Sequence, residues 1–257
     1  MFLSAFIDHL YPFFLIGTRL TALFVLAPAY GGRLLPPQVK LALVIAVSLA
    51  LHFGFGIGAD LVRPNPDGMI MGILREFAVG AGMGLVLDLI FSSIGFAGSI
   101  VAPQMGMAIS QLIDPQTESM QPLLSTFMTM VGVVFFLAID GHLTILRGLV
   151  DSYRLVPLGS FVFGGGAMNA LLDAGEQMFF IAFRLSAPVL ALIMFINVGL
   201  AVMARAVPQM NVLVVGFIIT IGIGILAMAL FFPLAGPYMR DFIESALERM
   251  MLFLKTV

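Results

Sequence analysis

Residues 212–232 read VLVVGFIITIGIGILAMALFF, twenty-one positions without one charged side chain. A helix of about 20 such residues matches the hydrocarbon thickness of a bilayer. Five further apolar runs occur, at 10–29, 39–57, 69–94, 123–139 and 177–203. In hydrocarbon every backbone amide must be satisfied within the chain, and helices do this segment by segment. Composition agrees, with 61% hydrophobic and 10% charged residues and a mean hydropathy of +1.11. A soluble fold carries about 25% charged residues, and this chain has too few polar groups to coat a water-facing surface. The fold class expected is all-α, an integral membrane helical protein.

Breakers bound the runs. Gly31-Gly32 and Pro36-Pro37 separate the first two, RPNPDG (63–68) the next two, and PLGSFVFGGG (157–166) lies in the connection before the fifth. Such clusters place turns between helices. The region 95–121 is less apolar and is interrupted by Pro103, Gly106 and Pro115. It contains QMGMAISQLIDP (104–115), which reads as a loop, a short buried helix, or a segment facing something that passes through the protein. The last segment, 238–255, sets Phe242, Leu247, Met250 and Leu254 against Asp241, Glu244, Glu248 and Arg249. That pattern predicts an amphipathic helix lying on a membrane surface. The N-terminus, MFLSAFIDHLYPFF, opens without positive charge and carries Asp8 and His9, so the first run is expected to stay rather than be cleaved as a signal.

Several function classes are disfavoured. The net charge is −2 and there is no basic tract, which disfavours nucleic acid. There are no cysteines, so disulfides and thiolate metal sites are absent. His9, His52 and His142 show no metal-ligand spacing. Asp140-Gly141-His142 puts a carboxylate near an imidazole, but it stands where an apolar run ends, and Gly141 reads as a helix stop. No serine nucleophile motif accompanies it, and GFGIG (54–58) and GGG (164–166) lack the Lys-Ser/Thr of a phosphate loop. No enzyme is expected.

Small residues and charges pattern the apolar runs. Gly72, Glu76, Gly80, Gly84 and Asp88 stand four apart, on one helix face. Gly216, Thr220 and Gly224 make a second such seam, and Ala187, Ala191 and Gly199 a third stripe, with Pro188 a kink point. Glycine faces let backbones approach closely, either within one bundle or against other chains. Arg19, Arg75, Glu76, Asp88 and Arg184 fall in or near apolar runs, where a charge costs at least about 2.5–3.5 kcal/mol at mid-bilayer. Arg19 with Glu76 and Arg184 with Asp88 are both possible pairs. Arg75 and Glu76 are adjacent and point apart.

The segment APVLALIMFINVGLAVMARAVPQMNVLVVGF (187–217) resembles the C-terminal hairpin of the FliR family of flagellar type III export proteins. Its hinge, ARAVPQMN, is a tight polar turn between two long apolar runs. TRLTALFVLAPAYGGRLLPPQVKLAL (18–43), REFAVGAGMG (75–84) and GSIVAPQMGMAISQLIDPQ with PLLSTFMTMVGVVFFLAIDGH (98–142) resemble the family in the same order, over almost the whole chain. Pro-Gln-Met-Asn followed by Val-Gly-Phe is nearer the flagellar branch than the related virulence proteins.

The resemblance implies helical hairpins like FliP in residues 1–175 and like FliQ in residues 176–257, followed by the amphipathic helix. It implies assembly with FliP and FliQ into a gate for unfolded flagellar subunits, with FlhB and FlhA nearby, in the bacterial inner membrane at the flagellar basal body, without a cofactor. Gln104, Met105, Gly106, Met107, Ala108 and Ile109 occupy the place of the pore plug, and Arg205, Pro208, Gln209 and Asn211 that of a cytoplasmic hinge near FlhB. Six alternating spans would put Arg63, Arg147, Arg154, Arg240, Arg249 and Lys255 on the cytoplasmic side by the positive-inside rule and Arg205 opposite. The family placement is preferred, because strict alternation is an assumption. On residues alone a small secondary transporter also fits, with Glu76, Asp88 and Arg184 as coupling charges and broken helices at Pro103 and Pro188; no clear inverted repeat supports it.

Overall fold

Where the sequence is apolar it is helical, and two of the helices far outrun the apolar runs at 69–94 and 177–203 that announce them. The computed structural model describes residues 2–27, 36–58, 66–107, 123–161, 164–207, 209, 211–234 and 236–255. They form α1 (Phe2–Leu26), α2 (Pro37–Leu49) continued by a π turn at Ala50–Gly54, α3 (Pro66–Gln104), α4 (Leu123–Ala138), α5 (Gly141–Leu155), α6 (Gly165–Ala206), α7 (Val212–Leu234) and α8 (Gly236–Lys255). The protein is an all-α integral membrane protein. The stretches Pro37–Gly54, Gly68–Gln104, Gly165–Ala206 and Val214–Phe231 are each long and apolar enough to cross a bilayer.

Six equal alternating spans do not describe these helices. The 39 residues of α3 make about 58 Å at 1.5 Å each, roughly twice a hydrocarbon core. Pro66, expected in a loop, opens α3, a position that needs no N–H. Pro103, read as an interruption, and Gly95, where the less apolar region begins, lie within its last part. The 42-residue α6 starts at Gly165 and carries Pro188 inside it. Between α4 and α5 the chain bends by 70°. The stop there is Asp140 rather than Gly141: Asp140 has φ 58° and its carbonyl accepts the N–H groups of Leu143 and Thr144. Asp tolerates this left-handed conformation better than most side chains. Gly141 is small for a different reason, since a Cβ there would collide with the Phe136 ring.

The helices contribute to two compact units, the first of Met1–Ile90, Phe136–Glu176 and Ile243–Val257, the second of Phe91–Phe135 and Gln177–Phe242. In the first unit the Gly72–Asp88 seam of α3 receives α1. A Cβ on Gly72 would meet the Tyr11 hydroxyl, one on Gly80 the Arg19 carbonyl oxygen, and one on Gly84 the Leu26 Cβ at 2.8 Å. Contact numbers rise together along both helices, so α1 and α3 run in the same direction. Within this chain the seam is therefore internal packing. The apolar face of α8 is also covered by protein rather than lying on a membrane: Phe253 sits against Gly82 of α3 and Met250 against Gly148 of α5, while Asp241, Glu244 and Glu248 stay exposed. Amphipathicity requires only that one face leave water, and here α3 and α5 cover it.

In the second unit α3 and α4 run antiparallel. The Ser125 hydroxyl donates to the Gly95 carbonyl at 2.8 Å, and a Cβ on Gly98 would stand 2.8 Å from the Ser125 Cα. Phe96 meets Phe179 of α6 edge-on, with centroids 5.5 Å apart. The stripe on α6 is different. Ala187, Ala191 and Gly199 are exposed, and a Cβ on Gly199 would meet nothing within 4 Å.

These two kinds of glycine behave differently on substitution. Gly80→Val forces a methyl-bearing carbon into the α1 backbone and is expected to destabilise the detergent-purified chain by about 1–3 kcal/mol. Gly199→Val should change it by less than about 0.5 kcal/mol. Thermal unfolding of both variants checks this, and equal losses would contradict the packing described.

Candidate functional site

Three places collect the residues singled out above. The first is a charge cluster inside the first unit. Arg19 of α1 and Glu76 of α3 are both wholly shielded from solvent. Arg19 Nε donates to Glu76 Oε2 at 2.6 Å and Nη2 to Oε1 at 3.2 Å, a bidentate pair. Two further guanidinium donors reach the Ser152 hydroxyl at 3.1 Å and the Val156 carbonyl at 3.0 Å. The Arg19 Cζ lies 4.4 Å from the Tyr153 ring centroid, which adds a cation–π contact. Glu76 Oε1 also accepts the Gly159 N–H at 2.8 Å, and Arg75, on the other side of the helix edge, donates to the Gly159 carbonyl at 2.8 Å. Adjacent and diverging, Arg75 and Glu76 thus hold both backbone groups of one residue. Gly159 takes φ 76°, a conformation that suits glycine. A buried ion pair is tolerable only when such hydrogen bonds satisfy its remaining atoms; here both carboxylate oxygens and four of the five guanidinium N–H groups have partners.

The second place is the end of α3. Gln104 is its last helical residue. Gly106 follows with φ 85°, its N–H donating to the Pro103 carbonyl at 3.0 Å and the Met107 N–H to the Ala102 carbonyl at 3.1 Å. That is a Schellman stop. Helix ends leave their last carbonyls without intrahelical partners, and the Met105 carbonyl accepts a hydrogen bond from the Thr220 hydroxyl of α7 at 3.0 Å. The Met105 side chain is fully buried against Gly224: a Cβ there would stand 2.8 Å from its Sδ and 2.9 Å from its Cγ. A Cβ on Gly106 would collide with the Phe217 ring. Phe217, Thr220 and Gly224 of α7 are thus the seat of this helix end, while Gly216 faces Leu200 of α6. Gln104 is exposed and, with Leu190, Met194 and Asn197 of α6, lines an open groove of about 490 Å³. Of the six residues expected at the plug, Ala108 and Ile109 lie outside the described residues.

The third place is the turn between α6 and α7. Arg205, Gln209 and Asn211 are all exposed; Pro208 lies outside the described residues. Asn211 caps α7, its Oδ1 accepting the Val214 N–H at 3.4 Å. Arg205 stands in the last turn of α6, where a cation complements the helix dipole.

A family model described as bacterial export proteins, family 1, matches residues 10–246. The chain belongs to that family. It is 29% identical over 220 residues to the flagellar biosynthetic protein FliR of Escherichia coli (strain K12), covering 86% of this chain and 84% of that one. The FliR of Bacillus subtilis (strain 168) is 28% identical over 251 residues, 96% of each chain. That of Aquifex aeolicus (strain VF5) is 30% identical over 216 residues, 84% of this chain and 83% of the relative.

For this FliR-family chain, two possible ion pairs were open from sequence, and Arg19 with Glu76 is formed. Arg184 is exposed on α6 and falls in the second unit, whereas Asp88 falls in the first. Asp88 is half-buried and makes no hydrogen bond or ion pair among the described residues. Sequence reasoning missed Ser152, Tyr153, Val156 and Gly159 around Arg19. The only signal for them was the number of donors a buried guanidinium must satisfy.

Removing one member of the buried pair leaves the other charge stranded. Arg19→Met and Glu76→Leu are each expected to cost about 3–5 kcal/mol, and the double variant clearly less than their sum. Thermal unfolding of the three variants in detergent tests the coupling; additive losses would mean the two charges do not depend on each other.

Proposed function

We propose that this chain is a pore-gating subunit of the flagellar type III export gate, assembling with homologues of FliP and FliQ to pass unfolded flagellar subunits across the inner membrane at the basal body. FliR-family membership supports the export-apparatus role. The finer reading rests chiefly on one observation, the stop at Gly106. There a long apolar helix is ended within an apolar unit by a left-handed glycine flanked by Met105 and Met107. Non-helical backbone at membrane depth is tolerated where protein or a water-filled cavity surrounds it. Methionine side chains seal a gap against ions and still yield to a passing chain.

In this reading Gln104 to Ile109 plug the closed pore. The chain performs no bond chemistry; an ATPase and the proton gradient act through partner proteins. Residues 1–175 correspond to FliP and 176–257 to FliQ, a likeness of hairpins that differs from the spatial units, since residues 91–135 join 177–242. The turn with Arg205, Pro208, Gln209 and Asn211 is the cytoplasmic hinge that meets FlhB, with FlhA beyond. The open α6 stripe and the many exposed apolar side chains of α6 and α7 are surfaces for partner helices and lipid.

A secondary transporter would need Glu76 to exchange a proton or ion during each cycle. Both of its oxygens are occupied by Arg19 and Gly159 and it has no solvent exposure, which weighs against that reading.

Deleting residues 104–109 in the assembled gate is expected to leave the complex intact, judged by its mass, and to raise its ion conductance in planar bilayers well above that of the intact gate. A deleted gate that assembles and conducts no more than the intact one would overturn the plug assignment.

A further inference from the structure

Met105 is held twice, by groups that differ in how easily they let go. Its side chain fills the space left by the missing Cβ of Gly224, and its carbonyl takes the Thr220 hydroxyl proton. That proton has a second acceptor, the Gly216 carbonyl at 2.9 Å. A hydroxyl donates one proton at a time, so Thr220 stays satisfied within its own helix when Met105 leaves. The Met105 carbonyl does not: it belongs to a helix end and needs a new donor. Methionine, unbranched and flexible, withdraws from a glycine notch without forcing the backbone of α7 to move. Release is therefore cheap on the α7 side and conditional on the α3 side, where the conditions are water or the free N–H groups of an extended polypeptide.

We propose that Met105, Thr220 and Gly224 form a latch that holds the end of α3 in the closed position. Thr220 and Gly224 are its positioning residues, and opening requires Met105 to leave the Gly224 notch. The inference rests on the gate reading above and adds to it the place where the closed state is fastened and the kind of ligand, an extended chain with unpaired backbone amides, that unfastens it.

The chain contains no cysteine, so Met105→Cys with Gly224→Cys creates the one possible disulfide within it. The separation of 2.9 Å between Met105 Cγ and a Cβ on Gly224 puts the new thiols within bonding reach. Diamide takes two hydrogens from the pair and forms the S–S bond; dithiothreitol reverses it. In the complete gate, oxidation is expected to crosslink the closed state and cut export at least tenfold relative to the same double variant kept reduced, with recovery on reduction, while diamide leaves the export of each single variant at the level it has without oxidant. Thr220→Val, which keeps the shape and loses the hydroxyl, is expected to raise the resting ion leak about fivefold without changing the mass of the complex.

A gate that is fully crosslinked and still exports overturns the latch. So does a resting gate in which the pair does not crosslink, because Met105 is then not seated on Gly224. The parallel deletion of residues 104–109 separates the two levels. If the deletion leaks but the crosslinked gate exports, only the latch falls. If the deletion does not leak, the plug reading falls with it.

Discussion

Everything in the first unit is arranged around one guanidinium that cannot reach water. Arg19 and Glu76 sit 57 residues apart in sequence and pair at 2.6 Å with no solvent exposure on either side. Two lone charges in such surroundings would each cost several kcal/mol, and their attraction offsets this only with good geometry and full hydrogen bonding. That requirement recruits α5 through Ser152, the Tyr153 ring, and the loop at Val156 and Gly159. The glycine seam is what lets the pair form. Gly80 and Gly84 bring α3 against the backbone of α1, and the carboxylate one turn from Gly80 arrives where the guanidinium ends. Packing and electrostatics are here a single constraint, since a Cβ at Gly80 would separate the helices that carry the charges.

The second unit obeys a milder rule. Its helices are apolar on nearly all sides, so apolarity does not say which face packs. Small residues decide instead. In α7 Thr220 and Gly224 receive the end of α3 and Gly216 receives Leu200 of α6, while Val214, Ile218, Ile225, Leu226 and Leu230 remain exposed. Among lipid-like surfaces, close approach and one hydrogen bond are the available sources of specificity. The end of α3 uses both. A fully buried charge cluster in one unit and a helix end held by one methionine and one hydroxyl in the other fit the gate proposed above.

Local features were legible in the sequence where a single residue type fixes the outcome. The four-residue spacing from Gly72 to Asp88 named the face of α3 that packs on α1, whereas Gly106 read as one interruption among several and not as the end of that helix. Asn211 was read as part of a polar turn, and it is also the cap of α7. What depended on distant parts of the chain was not legible. Sequence admitted two ion pairs, because the choice needs the register of α1 on α3. The shell around Arg19 comes from α5 and the loop after it, which no local pattern links to residue 19. The length of α3 was underestimated because the chain is less apolar after residue 94 and Pro103 looks like a breaker, whereas Gly95 and Gly98 there make room for Ser125 and Thr129 of α4. The face of α8 was apolar as expected, yet periodicity does not distinguish lipid from a neighbouring helix as its cover.

The central claim is that this chain is one part of a mixed gate rather than a self-contained membrane protein, and native mass spectrometry of the detergent-extracted protein tests it most directly. Expressed with its FliP and FliQ homologues, the chain is expected in a complex with one copy of itself among several copies of each partner. A stable monomer or homo-oligomer that ignores those partners would contradict the account.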